Sequence, residues 1–109
     1  MNLLVAVDGS ENALRATRFA ASLLAQSREP GSITLITVRD DLALRNARRF
    51  VGNQTVDDYL REQSEKDLAP ARAVLDADAI AYECLQCVGP IAREIAQAAD
   101  PERFMMVVL

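Results

Sequence analysis

A chain of 109 residues has room for one domain and not for a second. Half of the residues are apolar but only 5% are aromatic, so aliphatic and alanine side chains must fill the core. A formal net charge of -4 argues against general nucleic-acid binding, and the absence of His removes the Ser-His-Asp and Cys-His arrangements and the commonest metal ligand.

The first element is the apolar run "NLLVAV", Asn2 to Val7. Its density of branched residues predicts a strand covered on both faces. "DGSE" interrupts it, with Gly9 permitting a tight turn and Ser10 placed to cap a helix. From Glu11 to about Gln26, Ala13, Ala16, Ala20, Leu23 and Leu24 recur at helical spacing, with Arg15, Arg18 and Gln26 opposite them. "REPGS" ends that helix.

"ITLITV", Ile33 to Val38, reads as a second strand. Residues 39–54 are the least regular part of the chain and are expected to be loop with a short helical turn. Arg45, Arg48 and Arg49 within it read as a solvated face, with a phosphate grip as the other possibility. Thr55 and Asp58 resemble a capping box. The helix that follows is expected to run to about Asp76, with Val56, Tyr59, Leu60, Leu68, Ala71 and Leu75 on its apolar side. Pro70 should kink or split it.

"AIAYECLQCV", Ala79 to Val88, is expected to be a third strand. Pro90 then stands in the first turn of a helix whose apolar stripe is Ile91, Ala92, Ile95, Ala96 and Ala99. "FMMVVL", Phe104 to Leu109, completes the series as a fourth strand of buried type. The order β-α-β-α-β-α-β predicts an α/β fold: an open parallel sheet with right-handed crossovers and helices on both faces. No apolar run approaches the ~18–20 residues that a bilayer requires, and the chain is expected to be cytoplasmic.

In such sheets ligands bind beyond the carboxyl ends of the strands, where strand order reverses. "VDGS" ends the first strand there. The Asp8 carboxylate either starts the turn into the helix or accepts hydrogen bonds from ribose hydroxyls; it would repel phosphates. Ser10 and the first N–H groups of the helix either form an ordinary cap or receive an anion. Neither a P-loop nor a G-x-G-x-x-G motif is present. "CLQC", Cys84 to Cys87, lies within a strand, where side chains three apart point to opposite faces. Two reduced thiols are the expected reading, rather than a redox pair or a metal site.

The stretches "LLVAVDGSENALRATRFAASLLA", "ITLITV", "VGPIAREIAQAAD" and "FMMVVL" together resemble the universal stress protein family. The resemblance implies a Rossmann-like sheet, related to that of the adenine nucleotide alpha hydrolases, and in many members an ATP or AMP site with Mg. Carried over by position, Ala6, Val7 and Asp8 would line the nucleotide, with Asp8 taking the ribose hydroxyls. Val38 would offer its backbone to the adenine, and Leu109 would immediately precede the family's phosphate-binding motif. That motif, G-x2-G-x9-G-[ST], does not occur in these residues, nor do the helix and fifth strand that follow it in the family. The expected strand order is therefore 3-2-1-4 with the fifth strand missing.

The functional expectation is a regulatory module that binds an adenine nucleotide through the end of the first strand if a glycine motif completes the site. The alternative is a non-nucleotide interaction module of the stress response, working as a homodimer or with a partner chain. Catalysis is not expected.

Overall fold

The computed structural model describes residues 1–40 and 52–109. The expectations for Arg45, Arg48 and Arg49 fall outside them.

Strand β1 (Asn2–Ala6) occupies the middle of the sheet. Leu3, Leu4 and Val5 are each fully buried. Because side chains alternate along a strand, Leu3 and Val5 enter one core while Leu4 enters the other. Helix α1 (Glu11–Gln26) follows directly, its first turn closed by the Ser10 hydroxyl, which accepts from the Ala13 N–H at 3.1 Å. It buries Ala13, Ala16, Thr17, Ala20 and Ala21. Thr17 meets its own need for a partner by donating to the Ala13 carbonyl at 2.9 Å.

Strand β2 (Ser32–Arg39) pairs in parallel with β1, Leu3 opposite Ile33 and Val5 opposite Leu35. Helix α2 (Asn53–Ala77) returns the chain to β3 (Tyr82–Val88), which pairs in parallel with the other edge of β2. Helix α3 (Ile91–Ala98) then leads to β4 (Met106–Val108), which pairs with β1, Leu4 opposite Val107. The sheet order is β3-β2-β1-β4, with every pairing parallel. This is the expected architecture.

The two faces are unequal. Leu3, Val5, Ile33 and Leu35 meet α1 and the α2 residues Leu68, Ala71 and Leu75 in the larger core. Leu4, Ile36 and Phe104 form the smaller one, with Ala98 and Ala99 against it. Each large aliphatic side chain withdrawn from water contributes about 1.5–3 kcal/mol before conformational entropy is counted, so the larger core dominates.

Several local expectations are corrected. The cap of α2 is Gly52, with no side-chain hydrogen bond, and Thr55 lies inside the first turn. Asp58 instead accepts from Gln54 at 3.0 Å and from Arg61 at 2.7 Å. Pro70 does not split the helix, which runs unbroken through it. Pro70 is exposed, so water can reach the carbonyl that its missing N–H leaves without a partner. Tyr59 is 51% exposed, because the buried series Val56, Leu60, Ser64, Leu68 passes it by.

Strand β3 starts at Tyr82, not Ala79. Ala79, at φ 54, and Ile80 close the end of α2, with the Ile80 N–H donating to the Leu75 carbonyl at 3.0 Å. The stripe expected of α3 is buried nowhere along the helix, which is eight residues long. It rests on the sheet through its last turn, and Ile91 stays 53% exposed. Phe104 is buried, but Met105, Met106, Val107 and Leu109 are exposed, since β4 is an edge strand paired with β1 alone.

Candidate functional site

The chain steps outward from β1 to β2 to β3, then returns past both to place β4 on the free side of β1. Helices α1 and α2 serve one face and α3 the other. Strand order therefore reverses between β1 and β4, and the carboxyl ends of these two strands mark the place where such sheets form a crevice. A cleft of about 260 Å3 occupies this position.

Ala6, Val7, Asp8, Val38 and Leu109, the five residues singled out in the sequence, all line this one cleft. Ala6 and Val38 are half-buried on the face of the smaller core, and Ile36 lies beneath them. Ile91 and Ile95 of α3 form a wall that sequence reasoning assigned to packing alone. Asn12 and Ser10, at the start of α1, make the rim polar on the side of Asp8. The walls are thus mainly apolar, with one exposed carboxylate at the edge.

Asp8 is held by the turn that follows it. The Ser10 backbone N–H donates to Asp8 Oδ1 at 3.0 Å. The Ser10 hydroxyl and N–H together hold the Asp8 carboxyl below its ordinary value of 3.8, so it is ionised at neutral pH. Both turn-forming roles open in the sequence are therefore filled: Asp8 accepts within the turn, and Ser10 caps α1. Gly9 between them has φ 83, a region that side chains rarely adopt. An added methyl there would also lie 3.0 Å from Asp67 Oδ1 on α2.

Arg39, one residue beyond Val38, forms an ion pair with that same Asp67. It also donates to the Gln63 carbonyl at 3.2 Å. Sequence reasoning missed both residues: Asp67 stands in a charged helix surface that looks solvated throughout, and Arg39 is the first residue after an apolar strand.

A larger groove, about 1030 Å3, lies at the opposite end, between the last turns of α1 and α2. Its lining mixes Ala21, Ala25, Ala77 and Ala81 with the charged Arg18, Glu29 and Asp78, at the amino ends of the strands. None of Ala6, Val7, Asp8, Val38 and Leu109 lines it.

Cys84 and Cys87 do face opposite sides, one toward each core. Burial, and secondarily the charge of Glu94, raises the Cys87 thiol above its ordinary value. Among the described residues no group of three or more His, Cys, Asp or Glu side chains could hold a metal ion, and no helix is long and apolar enough to cross a membrane.

Three solved structures share this fold. Hypothetical protein MJ0577 superposes with a TM-score of 0.80 at 18% identity, covering 99% of this chain and 72% of that one. A protein of the universal stress protein family from Burkholderia pseudomallei gives 0.71 at 22%, covering 97% and 77%. A universal stress protein in complex with cAMP gives 0.59 at 23%, covering 100% and 75%. No curated protein matches the sequence. The family model of the universal stress proteins matches residues 1–109, that is, the described fold from β1 to β4 together with the segment outside it, and the chain belongs to the universal stress protein family.

Proposed function

We propose that this member of the family is a regulatory module whose cleft takes an adenine nucleoside or nucleotide. The observation that carries the reading is the pairing of apolar walls with one fixed, ionised carboxylate at the switch point of the sheet. A carboxylate accepts hydrogen bonds and cannot donate them, so Asp8 suits vicinal hydroxyls and repels phosphate. The apolar slot between Val38, Ile91 and Ile95 suits the faces of a flat heterocycle. A cleft of about 260 Å3 is on the scale of a nucleoside, just under the ~300–1,000 Å3 of drug-sized sites. The phosphates of AMP or ATP, with any Mg they carry, would point away from Asp8 toward open solvent. The cAMP complex of a structural neighbour supports this class of ligand.

Titration of the chain with adenosine, AMP, cAMP and ATP by calorimetry tests the reading. Saturable binding weakened by Asp8→Ala is expected; no binding of any of the four at millimolar concentration would reject it.

A second reading, an interaction module that pairs through β4, draws on the exposed Met106 and Val107 of that edge strand. Sedimentation at rising concentration separates the two, since a strictly monomeric chain leaves the second without support.

A further inference from the structure

The Asp8 turn touches more than its own helix. With Gly9 at φ 83, a methyl on it would lie 3.0 Å from Asp67 Oδ1 and 3.4 Å from the Asp67 Cα. Asp67, by its carboxylate first and its α-carbon next, therefore lies directly against the turn. Asp67 is mostly shielded, its side chain 18% exposed, and the Arg39 guanidinium fixes its carboxylate. Arg39 is itself anchored to α2 a turn earlier, through the Gln63 carbonyl at 3.2 Å.

We propose that Asp67, clamped by Arg39, is a positioning residue that sets where the Asp8 carboxylate stands in the cleft. The clamp reaches the other wall as well. The Arg39 carbonyl accepts from the Gly89 N–H at 2.8 Å, in the loop that delivers Ile91. One residue pair thus ties α2 to the turn bearing Asp8 on one side and to the α3 wall on the other. A partly exposed ion pair adds little to stability, so its value lies in where it holds these segments. The effect on ligand binding rests on the nucleotide reading above; the effect on the position of Asp8 does not.

Two variants of the 109-residue chain test this: Asp67→Asn, which keeps the shape and removes the charge, and Arg39→Lys, which keeps the charge and removes the fork. The Asp8 carboxyl titration is followed by 13C NMR, and AMP binding by calorimetry. Loss of the clamp should loosen the Ser10 hydrogen bonds and raise the Asp8 pKa in both variants. Simple loss of a neighbouring negative charge would lower it in Asp67→Asn, the opposite sign. AMP affinity should fall about tenfold, within the coupling expected of residues in contact. An Asp8 titration that is unchanged or lowered in the folded variants overturns the proposal. If the parent chain does not bind AMP, the nucleotide reading fails while the Asp8 titration still decides the role of Asp67. If the parent binds AMP and both variants bind it equally well, Asp67 has no part in ligand binding.

Discussion

Ser10 serves Asp8 and α1 at once: its N–H donates to Asp8 Oδ1 at 3.0 Å while its hydroxyl accepts from the Ala13 N–H at 3.1 Å. The candidate ligand group and the helix cap are therefore one structure, and the carboxylate is stabilised in its charged form. Since its folded-state pKa lies below the ordinary 3.8, the unfolded chain takes up this proton first. The stability that Asp8 contributes is present above about pH 4 and is lost as pH falls through the folded-state value. Melting temperatures recorded between about pH 5 and pH 2 should drop more steeply for the parent chain than for Asp8→Asn. Parallel curves would show that the turn gains nothing from the charge.

The two strands at the switch point differ in how much they tolerate. Val5 is fully buried in the larger core, whereas Val107 is 37% exposed on β4. Val5→Asp places an unpaired charge in that core, at a cost comparable with the ~5–15 kcal/mol that holds a domain together, and should leave the chain unfolded by circular dichroism. Val107→Asp should still melt cooperatively, with a loss nearer 1 kcal/mol. Equal damage from both would mean that β4 is enclosed in solution.

Packing and ligand contact should separate cleanly in a second pair. Leu68 has no exposure and sits where α2 meets the sheet, so Leu68→Ala should cost about 2–5 kcal/mol in urea melts. Ile91 lines the cleft but is 53% exposed. Ile91→Ala should change stability by less than about 0.5 kcal/mol and still weaken AMP binding. Undiminished binding would remove α3 from the site.

Cys87 should react slowly with thiol reagents at neutral pH, because burial and then Glu94 keep its thiol protonated. Its partner in sequence faces the other core, so a mild oxidant should form no disulfide within the chain. Intact mass after oxidation and alkylation reads both. An internal disulfide would require β3 to come apart.

The course of β1, α1 and β2 was legible because three signals agree there: dense branched residues, a capping serine and small residues at helical spacing. Ala6, Val7, Asp8, Val38 and Leu109 are placed together by the resemblance to the family, which implies both these positions and the strand order that brings their strand ends to one cleft. What escaped was whatever depends on contacts between distant segments. Tyr59 fits a helical apolar face as well as Leu60 does, and only the sheet beneath decides between them. Thr55 and Asp58 have the spacing of a cap without its position in the helix. Asp67 carries no local mark of its contact with Gly9, since the two are brought together only by the packing of α1 against α2. Ile91 looked like core and instead forms the wall of a cleft.

The central place of β1 also bears on how the chain is made. Its pairing with β2 joins residues about thirty positions apart, such as Leu3 and Ile33, whereas its pairing with β4 joins Leu4 to Val107. During synthesis the first pairing can form early, while the other edge of β1 stays open until Val107 has emerged. A nascent chain therefore carries an apolar strand with unmatched backbone donors and acceptors until β4 is made, and that edge is where premature association would begin.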